Sequence, residues 1–200
     1  MSNIWYTSDT HFGHARIAEF CPQRVGWFGM NGPNDIDKMN EMLVLAWNAQ
    51  VEPGDIVYHL GDFAMGQIDK TLNYVSRLNG DIRLILGNHD RPSRAYSKSV
   101  EKQMEWEQHY LDAGFTSLSY EQPHAVEGVT FWVAHFPYTG DTQGEDRHAE
   151  FRMEDRGEVL VHGHVHDMWQ VNGRQINVGW DAWGRLLHSS EVVDLVRSVS

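Results

Sequence analysis

The chain has twelve histidines in 200 residues, and those with chemical promise stand where short apolar runs end. Ile4-Trp5-Tyr6-Thr7 leads into Ser8-Asp9-Thr10-His11, and residues 55–60 lead into Gly61-Asp62. Ile82-Arg83-Leu84-Ile85-Leu86 leads into Gly87-Asn88-His89-Asp90, residues 129–134 into His135, and Val159-Leu160-Val161-His162 into Gly163-His164-Val165-His166. In extended backbone, residues two apart point to the same side. The spacing therefore predicts that Asp9 with His11, and His164 with His166, each present two groups to one cleft. The adjacent Asn88 and His89 should diverge, one toward metal and the other toward substrate. Carboxylate, imidazole and carboxamide oxygen together suit borderline divalent ions such as Mn²⁺, Fe²⁺ or Zn²⁺. The candidate ligands Asp9, His11, Asp62, Asn88, His135, His164 and His166 exceed the needs of one ion and fit a pair that shares a carboxylate. Two ions about 3.5–4 Å apart clamp both oxygens of an in-line displacement and acidify a bound water. Two aspartates offset only part of the charge on two such ions, so the cleft should be positive and suit a phosphate ester.

The elements that must position these residues follow from the same runs. Short apolar stretches rich in branched side chains and bounded by turn residues read as buried strands. Met39, Met42, Leu43, Ala46 and Trp47 fall at helical spacing within residues 35–51, with Asn34 or Asp35 as the N-cap. Ile68, Leu72 and Val75 mark another helix, and two more are expected over residues 14–20 and 97–113. Strand alternating with helix is an α/β pattern with a largely parallel sheet, and such sheets bind ligands at the carboxyl ends of their strands. In the second half helices thin out. Short strands near residues 117–120, 129–134, 159–162, 174–178 and 185–188 predict a second, more antiparallel sheet packed on the first. Residues 21–34 and 139–157 read as loops, with Trp27, Phe28 and Met30 packing the former down. No repeat or linker interrupts the chain, so one domain over residues 1–200 is expected.

Composition narrows the function classes. A net charge of −12 argues against an extended nucleic-acid surface, which needs Lys and Arg to displace counterions, although bound divalent cations can reverse the field in one cleft. No apolar run approaches the roughly 20 residues that span a bilayer, and the first residues lack the features of a signal peptide. The one cysteine, Cys21, allows no intrachain disulfide. Together these predict a cytoplasmic protein with no membrane contact. His59 and His162 read as hydrogen-bonded core residues, and His109, His124, His148 and His188 as surface or loop residues. Asp181 reads as a turn residue, and Trp180 and Trp183 as core.

Asp9-x-His11, Gly61-Asp62, Gly87-Asn88-His89-Asp90, His135 and Gly163-His164-x-His166 occur in an order and context that resembles the calcineurin-like metallophosphoesterase superfamily, over residues 4–184. Ser-Asp-Thr-His-Phe-Gly-His and Asn177-Val178-Gly179 look like a compact bacterial or phage branch. The resemblance implies a four-layer α/β/β/α sandwich of two mixed sheets. It implies two divalent metal ions, Mn²⁺ foremost, with Fe, Zn or Ni as alternatives. One would be held by Asp9, His11, Asp62 and His166, and the other by Asp62, Asn88, His135 and His164. A metal-bridging hydroxide would attack phosphorus, His89 would stabilise the pentacoordinate state or protonate the leaving oxygen, and Asp90 would orient His89 by accepting a hydrogen bond. Many relatives follow Gly-Asp with an acidic residue and a phosphate-gripping arginine. Here Phe63-Ala64-Met65-Gly66-Gln67 follows, so a protein phosphatase is disfavoured. Arg91 or Arg16 could take that place, and His14 could contact substrate. The implied activity is hydrolysis of a small, nucleotide-like phosphodiester, such as a 2′,3′-cyclic nucleotide, or of a phosphomonoester. The alternatives are a metal-dependent nuclease and a non-catalytic metal-binding scaffold. A homodimer stays open.

Overall fold

The computed structural model describes residues 2–142 and 144–200. In chain order these form β1 (Ile4–Thr7), α1 (Ile17–Phe20), α2 (Gln23–Trp27), α3 (Ile36–Asn48), β2 (Ile56–His59), α4 (Ile68–Thr71) continued by a 3₁₀ turn (Leu72–Arg77), β3 (Asp81–Ile85), α5 (Val100–Ala113), β4 (Ser117–Ser119), β5 (Glu121–Val126), β6 (Val129–Ala134), β7 (Leu160–His162), β8 (Val171–Asn172), β9 (Gln175–Asn177), α6 (Trp180–Trp183), β10 (Leu187–His188) and α7 (Ser189–Val199).

Two mixed five-stranded sheets result. The first runs β10-β1-β2-β3-β4 and the second β5-β6-β7-β9-β8. In the first, β1 to β4 are parallel and only β10 is antiparallel to its neighbour. In the second, β6, β7 and β9 are parallel, with β5 and β8 antiparallel at the edges. Alternation along the strands divides the apolar side chains between two cores. Trp5, Val57, Ile82 and Leu84 face a helical layer that contributes Met39, Leu43 and Trp47 of α3. Tyr6, Tyr58 and Ile85 face the second sheet, meeting Phe131, Val133, Val161 and Ile176. The outer face of the second sheet, with Trp132, Ala134 and Leu160, is covered by Tyr138 and Met153 from the polar segment between β6 and β7. This is the expected α/β class with two mixed sheets. No helix among the described residues is long and apolar enough to cross a membrane.

Several elements depart from the sequence expectations. Helix α2 lies within the expected loop. Strand β5 carries Pro123, which reads against a strand, but β5 is an edge of its sheet and the missing N–H costs least there. Helix α7 buries Val192, Val193 and Val196 and starts with a capping box between His188 and Glu191. It touches β1 and β10 of one sheet and β6 of the other. The expected helix over residues 14–20 is shorter, starting at Ile17. Trp180 is fully buried and Phe28 and Met30 are buried, as core packing requires, whereas Trp27 is exposed.

Candidate active site

Every candidate ligand lies just beyond the carboxyl end of a parallel strand: β1 for Asp9 and His11, β2 for Asp62, β3 for Asn88, β6 for His135 and β7 for His164 and His166. The pairs do not converge through extended backbone as expected. The strands stop first, and Asp9, His11, Asp62, His164 and His166 all have positive φ, between 51° and 71°. The chain curls at alternate residues, so each pair points inward from a left-handed turn. The two leading turns are zipped together, with the N–H groups of Asp9 and His11 donating to the carbonyls of Gly61 and Asp62 at 3.0 and 3.1 Å. Non-glycine residues in this region cost roughly 1–3 kcal/mol each and persist only where the surroundings over-determine them. Glycine is required where these turns meet. A Cβ on Gly87 would lie 2.2 Å from Asp62 Oδ1, and one on Gly163 would lie 1.9 Å from Ser8 Oγ.

Asp62 is the centre of the site. Its Oδ1 accepts from the His89 backbone N–H at 2.8 Å. Its Oδ2 faces the Nε2 atoms of His135, His11 and His89 at 3.6, 3.8 and 3.9 Å, too far for hydrogen bonds. His11 Nε2 is also 3.7 Å from Asp9 Oδ1. Two ligands each about 2.0–2.2 Å from a shared ion stand about 3–4 Å apart, which is the spacing seen. Asp9 Oδ1 and both ring nitrogens of His11 are buried without a hydrogen-bond partner, a costly state unless something else satisfies them. Asn88 Oδ1 lies 3.2 Å from His135 Nε2, while His135 Nδ1 faces the Leu60 carbonyl at 2.7 Å. With the ring proton on Nδ1, Nε2 offers a lone pair to another acceptor, an arrangement that suits a cation between them. Single ligand atoms from Asp9, His11 and His166, and from Asp9, Asp62 and His135, lie within 4.8 Å of one another. The donor set fits divalent cations.

Charge supports the same use. Burial works against ionised Asp62, but the imidazoles of His135, His89 and His11 outweigh it and hold the carboxyl down to about 2. Burial likewise opposes the Asp9 charge, yet His11 and its neighbours keep Asp9 well below the usual range. His11 is pushed down to about 4, chiefly by burial, so one ring nitrogen has a lone pair available at neutral pH. His166 moves the other way. Burial opposes its charge, but Asp181, Cys21 and Asp9 together outweigh that and raise it.

Residues that the sequence reading missed aim these groups. His166 Nδ1 donates to Asp181 Oδ2 at 2.8 Å, so Asp181 does more than shape a turn and leaves Nε2 for the centre. Arg24, fully buried, grips both Asp181 oxygens at 2.6 and 2.8 Å and donates to the carbonyls of Asp9 and Thr10. His164 Nε2 donates to Asp141 Oδ2 at 3.1 Å, leaving Nδ1 for the centre. Such outer partners fix the tautomer and orientation of ligating histidines. His59 and His162 are buried and hydrogen-bonded as expected. His124 is not a surface residue: it is buried and bonded to the Tyr6 hydroxyl at 2.8 Å. His148 reaches inward, its ring 5.9 Å from that of His164.

Three further expectations need correction. Asp90 does not accept a hydrogen bond from His89. Its oxygens are taken by the backbone N–H groups of Asp62, Gly87 and Phe63 at 2.9, 2.8 and 3.2 Å, because the turns after β2 and β3 bring those amides together around one buried carboxylate. Arg91 stacks on Tyr96 and Trp106, and Arg16 pairs with Glu19 and lies over Phe20. Neither lines the cleft above Asp62, a space of about 400 Å³ bounded by His11, His14, His89, His166, Thr142 and Arg147, among others. His14 does line it. A groove of about 470 Å³ beside α3 and α4 holds none of the candidate ligands.

Comparison with known proteins agrees with this geometry. The chain is 35% identical to the Gene 66 protein of Mycobacterium phage L5 over 209 aligned positions, covering all of this chain and 96% of that protein. It is 37% identical to the Gene 66 protein of Mycobacterium phage D29, again over its whole length and 98% of the relative. Among solved structures, the protein of unknown function AQ665 from Aquifex aeolicus superposes with a TM-score of 0.68 at 22% identity, covering 98% of this chain and 100% of that one, and so shares its fold. The family described as calcineurin-like phosphoesterase matches residues 2–168, a span that includes all seven candidate ligands. The chain belongs to the calcineurin-like phosphoesterase family.

Proposed function

We propose that this chain is a binuclear metal-dependent phosphodiesterase acting on small, nucleotide-like esters. The observation that carries the proposal is the position of Asp62 Oδ2, 3.6–3.9 Å from the Nε2 atoms of His11, His89 and His135. Two of those rings, His11 and His135, are buried as ligands would be, while the His89 side chain is 39% exposed to the cleft. In this reading Asp9, His11, Asp62 and His166 hold one ion, and Asp62, Asn88, His135 and His164 hold the other, with manganese, the ion the family resemblance puts foremost, as the ion to test. When bound, two such ions supply Lewis acidity toward the phosphoryl oxygens and acidify a water. His89 supplies a proton to the leaving oxygen, and His14, 5.4 Å ring to ring from His11, borders the path of the ester arm. Burial pushes His14 down to about 4, so it offers a neutral ring to a substrate. Phe20 and Met168, both largely exposed and both lining this cleft, favour a flat ester arm such as a nucleobase.

The test is turnover of bis-p-nitrophenyl phosphate by protein reconstituted with Mn²⁺, beside His89→Asn. The variant should lose about 10²–10⁴ in kcat and keep its manganese. No turnover of any mono- or diester across several divalent metals would defeat the proposal. Loss of manganese from the variant would remove His89 from its proton-donating role.

A further inference from the structure

Arg91 and Arg16 point away from the cleft. The cleft nevertheless contains a guanidinium. Arg147 lines it together with His11, His14, His89 and His166, and among the described residues it is the one arginine or lysine that does. It comes from the polar segment between β6 and β7, which sequence alone reads as an exposed loop.

This arginine is braced. Its Nε and Nη2 donate to Asp141 Oδ1, and Nη2 also donates to Thr142 Oγ1 at 3.0 Å. Nη1 makes no hydrogen bond among the described residues, so two N–H groups remain free on a side chain that is 41% exposed. An anchored guanidinium with one open end presents a fork suited to two phosphate oxygens. Its anchor, the Asp141 side chain, is fully buried. Asp141 also accepts from the Thr142 N–H at 2.7 Å and from Arg152 Nη2 at 3.3 Å. Arg152 in turn ties down the carbonyls of Pro137, Gly140 and Arg147. The other oxygen of Asp141 accepts from His164 Nε2. One buried carboxylate thus holds both a cleft arginine and a histidine of the candidate metal centre.

We propose that Arg147 is the phosphate-binding arginine of this site and that Asp141 is the positioning residue that yokes it to the metal-binding histidine His164. The inference rests on the phosphoesterase reading and adds the residue that orients the phosphoryl group. Its mechanical content is that loss of Asp141 disturbs phosphate and metal together, whereas loss of Arg147 disturbs phosphate alone.

The test uses full-length protein loaded with Mn²⁺, with inorganic phosphate binding followed by calorimetry, manganese counted per chain, and kcat and KM measured on bis-p-nitrophenyl phosphate. Arg147→Ala should weaken inorganic phosphate about 10- to 100-fold, the scale of a charged hydrogen-bond pair. KM should rise in step and manganese should stay unchanged. Arg147→Lys should recover part of the affinity, and the exposed control Arg156→Ala should behave as wild type. Asp141→Asn should weaken phosphate and also lower the affinity of one of the two manganese ions, while adding Arg147→Ala to it should cost little more. Asp141→Glu, which keeps the charge, should fall between Asn and wild type. Unchanged phosphate affinity in Arg147→Ala would overturn the arginine assignment. Full manganese affinity in Asp141→Asn, or effects of the two substitutions that simply add, would overturn the yoke. If wild-type protein hydrolyses no ester, the phosphoesterase reading fails, and the phosphate titration still decides the role of Arg147.

Discussion

Asp90 separates two views of the site, and replacing it with alanine tests them. If Asp90 served to orient His89, Asp90→Ala would lower kcat and leave stability and metal content alone. The structure gives it another task, holding three backbone N–H groups of the turns that carry Asp62 and Gly87. Alanine leaves those three buried donors without an acceptor, at roughly 1–3 kcal/mol each, about 3–9 kcal/mol in all. Against this stands the cost of the charge itself. Burial first, and the Asp62 carboxylate second, push Asp90 from 3.8 up to about 6, a penalty of about 3 kcal/mol at neutral pH that alanine relieves. The net loss is about 0–6 kcal/mol, toward the lower end if a water enters the gap. For a chain of this size that is a fall in Tm of up to roughly 25 °C. Because the released amides position Asp62 between the two candidate ion sites, manganese should be lost together with stability. Urea unfolding of metal-free protein and manganese counting of loaded protein provide the readouts. A variant as stable as wild type, with full manganese and depressed kcat, would refute the backbone role and restore the histidine-orienting one.

Two other outcomes follow from the geometry. Gly163→Ala puts a Cβ 1.9 Å from Ser8 Oγ and 2.6 Å from Asp9 Oδ2, so it should spread the turns after β1 and β7 and weaken manganese binding by at least tenfold. Metal titration at wild-type affinity would show that this junction has slack. His124, pushed down to about 4 chiefly by burial and then by Arg83, binds its proton more readily in the unfolded chain. Its contribution to stability is therefore complete above about pH 6.5 and is lost as pH falls toward 4, by as much as about 2 kcal/mol between pH 7 and 5. His124→Phe should show a shallower loss over that interval in urea unfolding of metal-free protein. An unchanged pH slope would mean that another buried group takes up the proton.

The parts of this molecule that were legible in the sequence obey short-range rules. Apolar runs ending at glycine or at a polar residue located β1, β2, β3, β6 and β7, and chain order placed Asp9, His11, Asp62, Asn88, His135, His164 and His166 at the ends of those strands. What sequence could not show depends on which turns meet. Asp141 is six residues beyond His135 in a charged stretch, and nothing in its neighbours marks it as the partner of a histidine 23 residues later. Arg24 lies within an expected loop, yet it is fully buried because Asp181, 157 residues away, and two strand-end carbonyls converge on it. Asp90 stands inside the most telling motif, yet its adjacency to His89 suggests a side-chain bond where the carboxylate in fact turns back onto the backbone.

The same reasoning explains why the inward-facing pairs were anticipated for an incomplete reason. A period of two in extended backbone brings Asp9 to the side of His11 only while the strand continues, and β1 ends at Thr7. The chain instead uses left-handed turns at five candidate ligands, which at roughly 1–3 kcal/mol each amounts to about 5–15 kcal/mol of backbone strain. Strain on that scale, comparable with the whole stability of a typical domain, must be offset by contacts that only the folded centre provides. Those on the protein side are visible: the zipper between the first two turns, the Asp90 carboxylate beneath them and Arg24 behind Asp9. They act on backbone and outer carboxylates and leave Asp9 Oδ1 and both nitrogens of His11 unsatisfied. Asp9 Oδ1 and the unprotonated nitrogen of His11 are atoms that divalent cations would satisfy. Backbone strain and unmet polar atoms thus coincide at Asp9 and His11, within a centre whose donor set fits divalent cations.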